Sequence, residues 1–241
     1  MSRILIVTAV VAERDAAARS MVPAPSLIGP YHCLSATGVA GRIDLLAGGV
    51  GVACAAAATA TALTAAGYDM VISAGIGGGL GSATYGDVVV ADACGQPDLG
   101  AEGPDGFIPA EQIGLGLGLI ALNTAVVTEL AHRIGAVIGT VLTVSTVTGT
   151  QTTADALTNR YPQARAEAME GAGVLAAASA HGVPFAELRA ISNHVGPRDR
   201  SAWRLGGAFD ALAAAIRAVT ATALPEPVLR RLVPTMPGIN S

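Results

Sequence analysis

Apolar and polar positions along the chain switch repeatedly between a strand-like run and a helical spacing, and the switches mark out its elements. Residues 3 to 9 form a short apolar run expected as a buried strand. Ala12 to Met21 follows as a helix with Glu13 in its first turn, where the helix dipole favours a carboxylate. Leu45 to Val50 is expected as another strand, Ala53 to Ala66 as a helix, and Met70 to Ala74 as a strand ending in a glycine turn, Gly75-Ile76-Gly77-Gly78-Gly79. Val88 to Ala91 and Thr140 to Val147 read as strands, separated by a glycine-rich looped section and a helix over Thr124 to Arg133. Gly171 to His181, Phe185 to Ile191 and Ala208 to Thr222 continue as helix, strand and helix. This alternation predicts an α/β fold, a sheet covered by helices with active groups at strand ends. No linker interrupts residues 1–222, which are expected to form one domain. In the 223–241 tail, Pro225, Pro227, Pro234 and Pro237 rule out a regular helix.

Composition narrows the function classes. With 241 residues, 51% of them hydrophobic and 13% charged, the chain can bury a sizeable core and is not disordered. Its net charge is −4, and its 14 basic residues are all arginines spread along the chain, so no basic patch points to nucleic acid. Residues 45 to 68 carry no charge, but Gly48, Gly49 and Gly51 break them, unlike a membrane span. Cys33, Cys54 and Cys94 share no metal-ligand spacing and are expected as reduced, buried thiols. The N-terminal apolar run is too short for a signal-peptide core, so a cytoplasmic location is expected.

No GxSxG elbow, HExxH pair or close His/Cys/Asp cluster is present, so a serine hydrolase or metal enzyme lacks its signature. The Gly75 to Gly79 segment would let backbone N–H groups approach a phosphate or ribose, but Leu80 breaks the GxGxxG spacing. Gly171-Ala172-Gly173-Val174-Leu175-Ala176 fits GxGxxA without the acidic residue a dinucleotide ribose needs. More informative are Glu170, just after one short apolar run, and Asn193, at the end of the next. An acid can grip sugar hydroxyls and a carboxamide can grip a base.

Taken in order, Ile4 to Glu13, Ser73 to Leu80, Gly86-Asp87-Val88-Val89-Val90, Met169-Glu170 and Arg189-Ala190-Ile191-Ser192-Asn193 resemble the nucleoside phosphorylase and nucleosidase superfamily, from Ile4 to about Thr222. The run Ser192 to Ser201 is most similar to its futalosine-cleaving branch, in the alternative menaquinone pathway. The resemblance implies a single-domain nucleoside phosphorylase-like fold, with a central mixed β-sheet flanked by helices. It further implies a small-molecule purine nucleoside substrate, no cofactor, no metal and a homo-oligomer with a shared pocket.

Glu13 matches the acid that activates water, Glu170 the acid that binds the ribose hydroxyls, and Met169 the side chain packed on the sugar. Thr148-Gly149-Thr150 matches the segment lining the base. Adenine-cleaving relatives have Asp where this chain has Asn193, and an amide donating to a 6-oxo group predicts hypoxanthine as the leaving base. Phosphorylases commonly place Arg before the glycine segment and a hydroxyl within it. Here Ser73 and Ile76 occupy those positions beside Gly77 and Gly78, which favours water as nucleophile. Many relatives have Glu directly before Met-Glu, where this chain has Ala168 and places Glu167 one residue earlier. Trp203 matches an aromatic residue beside the 5′ substituent, Arg198 and Arg200 are candidates for a substrate carboxylate, and Asp98 and Phe107 are candidates from the glycine-rich section. The rival expectations are a nucleosidase or phosphorylase for another purine nucleoside, inosine or methylthioadenosine-like, and a non-catalytic nucleoside-binding protein.

Overall fold

The computed structural model describes residues 2–115 and 118–225. Strands β1 (Arg3–Thr8), β2 (Ala24–Ile28), β3 (Tyr31–Gly38), β4 (Gly41–Ala47), β5 (Met70–Gly79), β6 (Val88–Gly95), β9 (Leu119–Ala121), β10 (Val137–Thr143), β11 (Ala164–Ala168) and β12 (Phe185–His194) make one sheet, while β7 (Gly100–Gly103) and β8 (Gly106–Pro109) form a separate hairpin. The helices are α1 (Val11–Ala17), α2 (Val52–Ala65), α3 (Thr124–Ile134), α4 (Gln151–Arg160), α5 (Gly171–Ala180) and α6 (Leu205–Thr220).

The strand order is β11-β10-β6-β12-β5-β1-β4-β3-β2, with β9 on β6. Parallel pairs β1–β4, β1–β5, β12–β5 and β10–β6 stand beside antiparallel pairs β12–β6 and β3–β4, so the sheet is mixed. An extra antiparallel pairing of β11 with β5 closes β5-β12-β6-β10-β11 into a ring. The fully buried Ile4, Leu5, Ile6, Met70, Ile72 and Leu188 show why β1, β5 and β12 read as largely apolar, since both sheet faces are covered, with β12 interrupted by the buried Glu187 and Arg189. Helices α1, α3 and α6 pack together, as do α2 and α5. A Cβ on Gly173 would collide with the Val52 carbonyl oxygen, so that glycine sets the close α2–α5 contact.

Several expectations need correction. Gly75 to Gly79 is no turn: β5 continues to Gly79, paired with β12 on one side and, at Gly78 and Gly79, with β11 on the other. Ladder pairing on both sides overrides glycine's weak strand preference. The strand expected at Leu45 to Val50 is β4, ending at Ala47, and the helix expected to reach Met21 ends at Ala17. The glycine-rich section holds β7, β8 and β9. Cys33 and Cys94 are buried, but Cys54 is exposed near the start of α2. The expected tail lies outside the described residues from 226 onward.

In β12 the register on β5 slips between Ile191 and Asn193, so Ser192 is an extra, bulged residue. Arg189 therefore pairs with Gly75, while Asn193 pairs with Gly78.

Candidate active site

The C-terminal ends of β1, β5, β11 and β12 border a cavity of about 590 Å³. Glu13 enters it from the first turn of α1, with only 4% of its surface exposed. Its Oε2 accepts from the Ala9 and Val10 N–H groups at 2.9 and 3.1 Å, and its Oε1 from the Ile76 N–H at 2.9 Å. Burial pushes this carboxyl above its ordinary range, and the backbone N–H groups and the Arg189 charge pull it back only in part. A Cβ on Gly75 would lie 2.6 Å from Glu13 Oε1 and 2.8 Å from an Arg189 nitrogen. Glycine here admits two charged groups side by side.

Arg189 is the centre of this arrangement. Its Nε donates to Glu187 Oε1 at 2.9 Å, one terminal nitrogen to Ser73 Oγ at 2.8 Å, and the other to Glu170 Oε2 at 3.4 Å. Burial disfavours the guanidinium charge, but Glu187, Glu170 and Glu13 more than compensate, so its pKa rises. The Cys94 thiol donates to the other Glu187 oxygen at 2.7 Å, and burial, followed by that carboxylate's charge, holds the thiol far above its ordinary range. Glu170, at the start of α5, also accepts from Gly51 N–H at 3.2 Å. The cluster thus sets three carboxylates against one guanidinium.

Elsewhere along the cavity wall, Asn193 Nδ2 donates to the His194 carbonyl at 2.9 Å, and the Ser192 hydroxyl lies 2.9 Å from Asn193 Oδ1. Glu167, 6% exposed, accepts from the Thr148 N–H at 2.9 Å and from the Thr148 hydroxyl. Burial raises its pKa, and the Thr148 bonds offset part of that rise. Arg198, Arg200 and Trp203 line the same cavity, with the Arg200 guanidinium 6.0 Å from the indole centre.

A family model described as the phosphorylase superfamily matches residues 3–225. The chain belongs to the phosphorylase superfamily. It is 52% identical over 219 residues to the futalosine hydrolase of Streptomyces coelicolor, covering 88% of this chain and 93% of that relative. The fold is also that of solved structures at 20% identity. The 5′-methylthioadenosine/S-adenosylhomocysteine nucleosidase of Neisseria meningitidis matches with a TM-score of 0.78, over 93% of this chain and 100% of that one. The futalosine hydrolase of Helicobacter pylori matches with 0.77, over 91% and 97%. The expected mixed sheet flanked by helices is the one found.

Within this superfamily cavity the structure brings together Glu13, Ile76, Gly77, Gly78, Thr148, Met169, Glu170, Asn193, Arg198, Arg200 and Trp203. It does not bring in every expected position. Gly149 and Thr150 are outside the lining, and Thr150 caps α4 by accepting from Thr153 N–H. Asp98 accepts from Ser145 N–H at 2.6 Å, and Phe107 lies 5.3 Å from the Arg160 guanidinium, so neither lines the cavity of this chain. Sequence reasoning assigned no role to Arg189 or Glu187. Their two-residue spacing inside an apolar strand, which puts both on one face, was the available signal. Among the described residues, no group of His, Cys, Asp or Glu is placed to hold a metal ion.

Proposed function

We propose that this protein hydrolyses the N-ribosidic bond of futalosine, releasing hypoxanthine and leaving dehypoxanthine futalosine, with water as the nucleophile. The observation that carries the proposal is the pairing of Glu13 and Glu170 around Arg189, in a chain 52% identical to a futalosine hydrolase. Breaking the bond builds positive charge on the ribose and negative charge on the departing base. Carboxylates facing the sugar stabilise the first, and Glu170, oriented by Arg189, accepts from the ribose hydroxyls. Glu13, whose basicity burial raises, takes a proton from water as that water attacks the anomeric carbon. Met169 packs on the sugar, and the Asn193 amide donates to the 6-oxo group and accepts from protonated N7 as the base leaves.

Ile76 offers only its backbone N–H, which Glu13 already occupies, and the Arg189 guanidinium is engaged by Glu187, Ser73 and Glu170. Both facts support water over phosphate. Trp203 and either Arg198 or Arg200 would hold the benzoate of futalosine by stacking and by a bidentate ion pair. Residues 1–222 act as one catalytic domain in a cytoplasmic homo-oligomer. The exposed Phe107, Ile113 and Leu115 support a subunit contact, and no helix among the described residues is long and apolar enough to cross a membrane.

The test supplies futalosine, inosine and methylthioadenosine with and without phosphate, and identifies the base and sugar released. Hypoxanthine and a free, unphosphorylated sugar from futalosine are expected, with inosine cleaved much more slowly. Adenine as the main product, or strict dependence on phosphate, overturns the proposal.

A further inference from the structure

We propose that Glu167 is a specificity-determining residue that accepts a hydrogen bond from N1–H of the leaving 6-oxopurine. The inference rests on the nucleosidase function proposed above and deepens it. Glu167 pairs with Gly78 across the antiparallel β11–β5 ladder, and Asn193 pairs with the same glycine across the parallel β12–β5 ladder. Residues in register on neighbouring strands present their side chains on one face. Glu167 and Asn193 therefore rise on either side of Gly78, roughly 9 to 10 Å apart at the backbone given strand spacings near 4.8 Å. A Cβ at Gly78 would meet Val195 at 2.7 Å and Asn193 Nδ2 at 3.3 Å, so glycine keeps the space beside Asn193 open.

Both side chains line the cavity. The two bonds from Thr148 fix the plane of the Glu167 carboxylate, and each oxygen keeps a further acceptor site. An ionised carboxylate only accepts. A 6-oxopurine presents a donor at N1, whereas a 6-aminopurine presents a lone pair there, which an acceptor repels. With Asn193 on the 6-oxo and N7 edge, Glu167 reads the adjoining edge and rejects the amino base.

Product inhibition by free bases tests this without synthetic nucleosides. Wild-type enzyme is titrated with hypoxanthine and with 1-methylhypoxanthine, which keeps the 6-oxo group and N7 but lacks N1–H. Hypoxanthine is expected to inhibit about tenfold more strongly or better, the effect of one charge-assisted hydrogen bond. In Glu167→Gln that ratio is expected to collapse toward one, because the amide can turn its NH2 toward the base. Should that variant not fold, Glu167→Asp serves, withdrawing the carboxylate by one methylene with the same expected collapse. Equal inhibition of wild type by the two bases overturns the proposal. So does discrimination that survives the substitution, which would assign it to steric exclusion of the methyl group. If wild type neither releases hypoxanthine from futalosine nor is inhibited by it, the function proposed above falls as well. If it does both and only the ratio fails, Glu167 alone is wrong.

Discussion

Two buried charge clusters in this molecule are built on opposite plans. At Asp44, a fully buried carboxylate is surrounded by donors: Arg3 at 2.7 Å, Arg42 at 3.2 Å, the Ser35 hydroxyl and the Tyr68 hydroxyl at 2.9 Å. Burial alone would raise its pKa, but these hydrogen bonds and the Arg3 charge outweigh burial and lower it. At the cavity, Glu13, Glu170 and Glu187 share the single guanidinium of Arg189, and Glu13 ends with a raised pKa. The first cluster is satisfied in the folded state. The second is short of positive charge, which under the proposed mechanism the reacting sugar supplies in the transition state. The undercompensated carboxylates beside the cavity thus fit the chemistry proposed for them, while the fully paired Asp44 fits a structural role.

Substitution separates the two most sharply. Glu13→Gln keeps the side chain's size and removes the proposed base, so kcat for futalosine should fall by about 10³-fold while the circular dichroism spectrum stays native. Turnover within a factor of a few of wild type would show that Glu13 is not the base. Asp44→Asn should do the reverse. It leaves Arg3 and Arg42 without their counter-charge, and a loss of about 2–3 kcal/mol in folding stability is expected from urea unfolding, discounted for the partial exposure of both arginines. Its kcat should stay near that of wild type.

The smallest effect is read by pH. Asp44 has a lowered folded-state pKa, so its stabilisation is present above the unfolded value near 4 and is lost only as pH falls below that. Glu13 has a raised one, so ionising it costs folding free energy as pH rises through its folded pKa, and its basic form is lost on acidification before the usual carboxylate range is reached. Acidification should thus inactivate the enzyme while it is still folded. Activity and fluorescence-monitored unfolding followed over the same pH series check this, and coincident acid limbs would refute it.

What was legible from sequence follows the same physics. β1 and β5 were found because burial on both faces forces apolar runs, and β12 because Phe185 to Ile191 is apolar apart from Glu187 and Arg189. β11 was missed, because Ala-Arg-Ala-Glu-Ala has no strand propensity and exists through its pairing with β10 and β5. α4 was missed for a related reason, being largely polar with only Ala154 and Leu157 buried. The cavity residues Glu13, Met169, Glu170 and Asn193 were legible through a resemblance in their order along the chain. Arg189 and Glu167 each left a trace in the sequence, the first in its two-residue spacing from Glu187 and the second in its place one residue before the acid of many relatives, but their partners across strands are not encoded by spacing along one chain.

The bulge at Ser192 has an evolutionary consequence. It splits β12 into two segments of opposite phase, one supplying Arg189 to the charge cluster and the other supplying Asn193 to the cavity wall. Loss of Ser192 would restore a regular ladder with Asn193 still opposite Gly78 and Arg189 still opposite Gly75, and would remove the hydroxyl that reaches both the Gly77 carbonyl and Asn193 Oδ1. The strand thus behaves as two independently adjustable parts, so a descendant can change the side chain presented beside Gly78 without disturbing the charge cluster around Arg189.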